Sequence, residues 1–135
     1  MAGLVCDIVT PEKKLFSGEA TLVAVPGTEG QMGFLHGHVP LVSALADGVV
    51  RVTNDEAEDG AKAFACQGGY VEVDGEKVIV LADRAVLVDD IDAAAVQSEL
   101  AQLEQKLSGV AEGDVAAKAV ATDIAWCNTR LAAIA

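Results

Sequence analysis

Two patterns of apolar and polar positions divide this chain. Along residues 4–88 they alternate in short runs that glycine, proline and aspartate interrupt. Alternation with a period of two is typical of half-buried β-strands. The pattern predicts strands at residues 4–9, 21–25, 32–35, 42–45, 49–53, 62–66, 70–73, 77–81 and 85–88. Because the strands are short and no long crossover helix separates them, they predict an antiparallel β-sandwich or barrel rather than a parallel sheet.

Glycine and aspartate mark the turns between these strands. Asp74-Gly75 separates two alternating runs and is the strongest hairpin signal in the chain, and Asp47-Gly48 is a second turn pair. The segment at residues 26–45 is richer still in glycine. Because glycine loses more conformational freedom on ordering than any other residue, this density predicts a shaped loop. Such loops on a rigid β scaffold often carry contacts, so the segment is a candidate contact surface.

The pattern changes to a helical period at Asp89. The three aspartates within residues 89–92 suit a helix N-terminus, and Asp114 can cap a second helix after a break at residues 109–113. The two apolar stripes consist of Val96, Leu100, Leu103 and Leu107, and of Val120, Ile124, Cys127, Leu131 and Ile134. Because each helix has one narrow stripe, the pair predicts an antiparallel helical hairpin. We therefore expect a β domain at residues 1–88 and a helical hairpin at residues 89–135.

The chain is strongly acidic, with a formal net charge of −12. A surface of this sign repels phosphate, which argues against nucleic acid or anionic lipid as a direct ligand. The acidic run at residues 54–60 predicts a solvated hairpin loop, with a cation site as the weaker alternative. The sequence shows no secretory signal pattern and no apolar run of the roughly 20 residues that span a bilayer. We therefore expect membrane association only through a partner.

No combination of residues predicts a catalytic site. Cys6, Cys66 and Cys127 form no Cys-x-x-Cys motif, so we expect reduced, partly buried thiols. His36 and His38 could supply two metal ligands, but a catalytic metal site normally needs a third protein ligand. The simpler interpretation is that both histidines shape a contact loop. We therefore predict no catalytic residue, no metal ion and no cofactor.

Several segments together resemble the epsilon subunits of F-type ATP synthases. The resemblance covers residues 4–92 closely and rests beyond them on the two-helix pattern and the length. The segments are DIVTPE at 7–12, FSG at 16–18, GTEGQMGFL at 27–35, GHVPL at 37–41, FACQGGYVEV at 64–73 and VIVLAD at 78–83. Members of the family combine an N-terminal antiparallel β-sandwich with a C-terminal antiparallel two-helix hairpin. The resemblance therefore implies a mainly β plus α fold and favours the sandwich over the barrel.

The resemblance also implies a non-catalytic subunit of the central stalk. Such a subunit rotates with the gamma subunit and the membrane c-ring, couples ion translocation to ATP synthesis and regulates ATP hydrolysis. By position, Gln31 and Met32 would face the c-ring, and Thr10, His38 and Ser43 would lie towards gamma. The protein would be peripheral, on the cytoplasmic face of an energy-transducing membrane, here expected to be a bacterial cell membrane.

Three departures from the family pattern refine these expectations. Relatives usually carry proline where this chain has His36, so the loop is less rigid here and gains a titratable group. Many relatives have an acid at the position of Gln31, so an ion pair with basic loops of the ring is lost. Relatives that bind ATP carry an Asp-x-x-Arg-Ala motif in the second helix. This chain has Lys118 and Arg130 there without that motif, so we expect no bound nucleotide.

In many relatives the hairpin extends towards the alpha and beta subunits of the catalytic head and blocks ATP hydrolysis. The regulatory residues predicted here are Lys118, Trp126, Arg130 and Leu131. Because the second helix has so few bases, we expect Trp126 and Leu131 to dominate any inhibitory contact. Deleting residues 89–135 should then raise the ATPase activity of the complex by an amount nearly independent of salt. Taken alone, Trp126 is more simply explained by packing within the hairpin or by contact with the sandwich, with anchoring of a partner as the alternative.

Two rival interpretations stay open at this point. One is a stand-alone β-sandwich adaptor or regulator with a helical hairpin, which would not co-purify with the other synthase subunits. The other is a metal-dependent enzyme that uses His36 and His38, which would take up metal again after chelation.

Overall fold

The computed structural model describes residues 3–56, 60–111 and 113–135, and the chain divides into two compact units, Met1–Asp89 and Asp90–Ala135. The described part of the first unit forms ten strands, that of the second forms two α-helices, and a short 3₁₀ helix at Val88–Asp90 lies between them in the sequence. The strands are β1 Leu4–Val9, β2 Lys14–Ala20, β3 Leu22–Gly27, β4 Gly30–Phe34, β5 Leu41–Ala44, β6 Gly48–Thr53, β7 Ala61–Gln67, β8 Tyr70–Val73, β9 Lys77–Leu81 and β10 Arg84–Leu87. The helices are α1 Ala93–Ser108 and α2 Val115–Ala133.

The strands of the described residues form two five-stranded sheets. Sheet I has the order β2-β1-β9-β8-β5, and sheet II has the order β10-β7-β6-β3-β4. Neighbouring strands are antiparallel except β1 and β9, which run parallel with Cys6 opposite Val78. The parallel pair is possible because the chain passes through sheet II between its two members, which supplies the long connection that parallel strands need. The predicted β-sandwich followed by a helical hairpin is confirmed, with this one parallel pairing as a refinement.

The two sheets stack on a shared apolar core. Phe16 of sheet I approaches Phe64 of sheet II, with ring centroids 5.5 Å apart. Alternate residues of the strands point inward, which is the period that the sequence pattern predicts. The buried core consists of Leu4, Cys6, Ile8, Ala20, Val23, Val25, Phe34, Leu45, Val50, Val52, Phe64, Cys66, Val71, Val73, Val78, Val80 and Ala82. Because burying a large apolar side chain stabilises by about 1.5–3 kcal/mol, this core holds the sandwich together.

Strand β2 is missing from the strands predicted above. Its sequence, KLFSGEA, has no β-branched residue and contains a glycine, so its pattern does not favour a strand. The strand forms at the edge of sheet I, where it pairs with β1 alone. Gly18 leaves room for a neighbouring ring, because a Cβ there would lie 3.0 Å from Phe16 Cζ. Tertiary packing therefore overrides the weak local preference.

Much of the glycine-rich segment is a regular hairpin. The predicted strands at residues 21–25 and 32–35 are present, but β3 runs on to Gly27 and β4 begins already at Gly30, so the predicted shaped loop is shorter than residues 26–45. Gly27 pairs with Gly30 across a two-residue turn. A Cβ on Gly27 would lie 2.7 Å from the carbonyl oxygen of Gly30 and 2.8 Å from Met32 Cε, so the glycine permits close packing. Irregular structure remains at residues 35–40, where Gly37 has φ +86°.

Aspartates begin both helices of the second unit, as predicted. The side chain of Asp92 accepts hydrogen bonds from the N–H groups of Ala94 and Ala95 at 3.1 and 3.3 Å. The side chain of Asp114 accepts one from the N–H group of Ala116 at 3.1 Å. These carboxylates satisfy backbone donors that have no partner inside the helix.

Candidate interaction surfaces

The outward-facing side chains of sheet I form a partly apolar surface. Strand pairing places them in two adjacent rows: Ala44, Tyr70, Leu81 and Val9 in one, and Val42, Glu72, Ile79 and Asp7 in the other. Val42, Tyr70 and Leu81 are 67%, 58% and 43% exposed. We call the four residues Val42, Tyr70, Ile79 and Leu81 the outer patch. It stands on three paired strands, so its shape is held by the sheet.

Contiguous apolar surface of this kind marks interaction sites, because a soluble protein gains nothing by exposing it to water. Tyrosine is also enriched at protein interfaces, where its ring buries a large area and its hydroxyl can still hydrogen-bond. The outer patch is therefore suited to bind an apolar surface of another protein.

A charged cluster borders the outer patch at Asp7. The side chain of Asp7 is only 7% exposed, and Lys77 Nζ and Lys14 Nζ lie 3.2 and 3.5 Å from its Oδ2. Ser17 Oγ donates a hydrogen bond of 2.6 Å to its Oδ1. The Ser17 hydrogen bond, with help from the two lysines, holds the pKa of Asp7 below its usual value although burial acts in the opposite direction. Asp7 is therefore an ionised anchor for two lysines beside the patch.

The three residues that the resemblance assigns to gamma do not form one cluster. Thr10 follows Val9, and its Oγ1 donates a hydrogen bond of 3.2 Å to the Lys13 carbonyl in the β1–β2 turn. Ser43 lies on β5 opposite the buried Val71, so it occupies an inward position and is half-buried. Thr10 lies next to the row that contains Tyr70, and Ser43 is the residue before Ala44 of that row.

His38 lies at the other end of sheet I. Its loop is joined to the β8–β9 turn by a hydrogen bond of 2.6 Å from the N–H group of Gly37 to the carbonyl of Gly75. Its Nδ1 lies 2.7 Å from the Val39 carbonyl, and its ring is edge-on to Phe34 with centroids 4.9 Å apart. His38 therefore shapes the loop before β5, and the length of the sheet separates it from Thr10.

The two residues assigned to the c-ring lie on β4, an edge strand of sheet II. Gln31 is exposed, whereas Met32 pairs with the inward-facing Val25 and packs half-buried against the core. The exposed turn Thr28-Glu29 precedes them, and the N–H group of Thr28 donates to the Ala44 carbonyl at 3.4 Å. The hydrogen bond places this turn at the end of sheet I that carries Ala44.

The sequence prediction did not select the residues of the outer patch. Each of them occupies an outward strand position, where alternation predicts a polar residue. Tyr70 offered the clearest signal, since it begins the alternating run Tyr70–Val73. The outward orientation of Leu81 and Ile79 could not be predicted, because Lys77–Leu81 contains four apolar residues in succession. Such a run does not show which of them face outward.

Two of the predicted regulatory residues form a cluster in the hairpin. Arg130 Nη2 donates to Glu99 Oε2 of α1, and Arg130 Nε donates to the Trp126 carbonyl at 3.4 Å. The guanidinium carbon of Arg130 lies 5.1 Å from the centroid of the Trp126 ring, a cation–π contact. Leu131 is half-buried on the same helix, and Lys118 is exposed near its start.

The described ranges contain no group of three or more His, Cys, Asp or Glu side chains placed to hold a metal ion. Burial raises the pKa of Cys6 and of Cys66 to about 12, so both core thiols are protonated at neutral pH. None of the helices in the same ranges has the length and apolar character that a membrane crossing requires. The alternative of a cation site at residues 54–60 depends on residues 57–59, which lie outside the described residues.

The comparisons with known proteins decide the family. The model of the β-sandwich domain of ATP synthase delta/epsilon chains matches residues 4–88. The ATP synthase epsilon chain of Magnetococcus marinus is 38% identical over 128 residues, which cover 95% of this chain and 91% of that relative. This chain belongs to the ATP synthase epsilon-chain family. The function predicted from the resemblance, an epsilon chain of ATP synthase, is confirmed.

Other epsilon chains agree with this assignment. The one from Desulforamulus reducens is 42% identical over 104 residues, covering 76% of this chain and 75% of the relative. The one from Parvibaculum lavamentivorans is 36% identical over 108 residues, covering 80% of each chain. The assignment also excludes the rival interpretation of a stand-alone adaptor, since the members of this family are subunits of ATP synthase.

Two solved structures share the fold. One is from the Euglena gracilis mitochondrial ATP synthase, described as OSCP/F1/c-ring in rotational state 1, with a TM-score of 0.77, 20% identity, and coverage of 100% of this chain and 83% of that chain. The other is from the central stalk/c-ring of the Tetrahymena thermophila mitochondrial ATP synthase, with a TM-score of 0.60, 12% identity, and coverage of 98% and 97%. At these identities the similarity shows the fold alone.

Proposed function

We propose that this epsilon chain is a non-catalytic part of the rotor, which couples ion translocation to ATP synthesis and restrains ATP hydrolysis. The observation that carries the proposal is the outer patch, an exposed apolar surface on a sheet backed by a continuous core. Transmission of torque requires a stiff body with a firm grip on its neighbours. A well-packed sandwich provides the stiffness, because packed interiors have low compressibility.

The outer patch is the surface that we assign to the gamma subunit. Tyr70 and Leu81 would form the apolar centre of the contact, with Thr10 beside them. Lys14 and Lys77 keep part of their surface exposed, with side chains 56% and 43% exposed. Held by Asp7, they would stand at the rim, where charges set orientation more than affinity.

We assign the exposed side of the β3–β4 hairpin to the c-ring. Gln31 is presented there, next to the turn Thr28-Glu29, whereas Met32 fills the space above Gly27 and stabilises the strand from inside. Because Gln31 is uncharged, its contact with a basic loop would be a hydrogen bond rather than an ion pair. The protein would then lie peripherally on the cytoplasmic face of the membrane, bound through the ring and gamma.

We assign the regulation of ATP hydrolysis to the hairpin, through extension of α2 towards the alpha and beta subunits. Arg130 is bound to Glu99 in the closed hairpin, which leaves Lys118 as the exposed base of α2. Because α2 carries only these two bases together with the acidic Asp123, electrostatic attraction would stay weak even after Arg130 is released, which supports the expectation of an inhibitory contact dominated by Trp126 and Leu131. Removal of residues 89–135 should raise the ATPase activity of the complex, and a rise that shrinks strongly with added salt would contradict that expectation.

Binding to purified gamma subunit tests the proposed coupling role. The full chain should bind gamma, and Tyr70→Asp or Leu81→Asp should weaken binding about 10- to 100-fold, because a charge would be buried in the apolar centre of the contact. Titration calorimetry measures the change. Leu22→Asp is the matched control, since Leu22 is 38% exposed on the outward side of sheet II.

The outcomes of this experiment separate the parts of the proposal. If the unmodified chain does not bind gamma, the coupling role is wrong. If it binds and all three variants bind equally well, the role stands and the outer patch is not the contact surface.

A further inference from the structure

Few apolar side chains hold the two helices of the hairpin together. In its described part, the buried apolar residues are Val96, Val120 and Cys127. Leu103 and Leu107 of the predicted stripe are only half-buried. Because short helices depend on packing for their stability, a polar contact between α1 and α2 can add to what keeps them paired.

One polar cluster joins the helices. Arg130 donates to Glu99 Oε2, and the thiol of Cys127 donates to the same oxygen at 2.9 Å. Arg130 Nη2 also lies 3.3 Å from Cys127 Sγ, and the ring of Trp126 covers the guanidinium. A single carboxylate of α1 therefore engages two side chains of α2 at once.

Most ion pairs at a protein surface contribute little, because water and salt screen both charges. This pair differs in the environment of its base. The side chain of Arg130 is only 16% exposed, although that of Glu99 is 51% exposed. Without Glu99, a largely desolvated guanidinium would lose its anionic partner, which is costly.

We propose that Glu99 and Arg130 form a latch that holds the hairpin closed. The latch also controls the availability of Arg130, because that guanidinium cannot stay paired with Glu99 and bind an acidic surface of another subunit. Opening of the hairpin and release of Arg130 are then one event. The consequence for ATP hydrolysis rests on the regulatory role proposed above, whereas the latch itself does not.

Hydrogen exchange of the full chain, followed by mass spectrometry of peptides, tests the latch. Glu99→Gln removes the charge and keeps the shape, so amides of α1 and α2 should exchange about tenfold faster, while amides of the sandwich serve as the internal reference. Glu104→Gln is the matched control, because Glu104 is an exposed glutamate of the same helix. Equal exchange in the two variants would overturn the proposal.

Salt dependence and a double mutant test whether loss of the ion pair causes the faster exchange. Exchange of the hairpin in the unmodified chain should rise with salt, and Glu99→Gln should abolish that rise. Adding Arg130→Gln to Glu99→Gln should produce little further acceleration, since either change alone already breaks the pair. Fully additive effects, or a salt dependence that survives in Glu99→Gln, would also refute the latch.

The ATPase activity of the assembled complex tests the consequence separately. If extension of α2 inhibits hydrolysis, Glu99→Gln should lower the activity relative to Glu104→Gln. Faster exchange without a change in activity would support the latch and count against the regulatory role of the hairpin.

Discussion

The sandwich and the hairpin of this chain are stabilised in different ways. In the sandwich, inward side chains of both sheets share one continuous core. In the described part of the hairpin, the buried apolar side chains are Val96, Val120 and Cys127, and a polar cluster adds to them. Because stabilisation follows the apolar area removed from water, the sandwich should resist local opening, whereas the hairpin should open at low cost. One short chain therefore combines a stiff sandwich with a weakly held helical hairpin.

The largest effect on stability is expected when a side chain is added to a glycine of the sandwich. Gly69 has φ +98°, and a Cβ there would lie 1.9 Å from the Leu81 carbonyl oxygen. Gly69→Ala should therefore lower the free energy of unfolding by about 3 kcal/mol or more, measured by urea denaturation. Gly33→Ala is the control, because its Cβ would meet only Leu22 Cδ1, at 3.5 Å. If both variants lost a similar amount of unfolding free energy, the sandwich would be able to rearrange around the added side chain at Gly69, contrary to this prediction.

The same truncation in each unit compares the two directly. Val78→Ala should destabilise the sandwich by about 2 kcal/mol, since Val78 is fully buried and a cavity would remain. Val96→Ala should cost about 1 kcal/mol, because the hairpin can collapse around the missing atoms, and the loss should be confined to α1 and α2. Hydrogen exchange resolved by peptide measures both. Global unfolding caused by Val96→Ala would contradict the separation into a stiff and a weakly held unit.

A smaller effect concerns the response of the sandwich to acid. The pKa of Asp7 is lowered in the folded chain, so its contribution is complete above the unfolded pKa of about 3.9 and is lost as the pH falls towards the lower folded value. Asp7→Asn should cost about 1–2 kcal/mol at neutral pH and remove this part of the acid dependence. Urea unfolding at pH 7 and at about pH 3 measures the difference. Glu72→Gln, which changes an exposed carboxylate in the same row, is the matched control.

The smallest effect is expected at the start of the hairpin. Asp92→Ala removes the acceptor for the N–H groups of Ala94 and Ala95 and should cost about 1 kcal/mol. Exchange in the first turn of α1 should accelerate while the sandwich remains unchanged. Asp90→Ala is the control, since Asp90 precedes the cap. Equal acceleration of exchange in the two variants would show that negative charge near the start of α1, rather than the hydrogen bonds of the Asp92 side chain, stabilises the first turn.

Local signals were sufficient for much of the fold. The strands Tyr70–Val73 and Lys77–Leu81 were predicted with their observed bounds, because Asp74 and Gly75 define the turn between them. The side chain of Asp74 accepts hydrogen bonds from the N–H groups of Glu76 and Lys77, and Gly75 has φ +99°. Turn chemistry of this kind acts between neighbours in the sequence, so the sequence reveals it.

The candidate surfaces were less accessible to prediction. Gln31, Thr10, His38 and Ser43 were selected through the resemblance, and their contacts with c-ring and gamma remain predictions. The outer patch was not selected, because the side of a strand that faces the core depends on its partners in the sheet. The Glu99–Arg130 pair was missed for the same kind of reason, since it joins two helices across 31 positions of sequence.

The sequence by itself determined the alternation of strands, the turn at Asp74-Gly75, the aspartate caps and the apolar stripes, because these depend on residues close together in the chain. Only the tertiary structure decided that β2 is a strand, that β1 and β9 pair in parallel, that Tyr70 and Leu81 face outward together, and that Arg130 is held by Glu99. Each of these depends on which distant segments pack against each other, and that choice is made by the burial of the whole core rather than by any local preference.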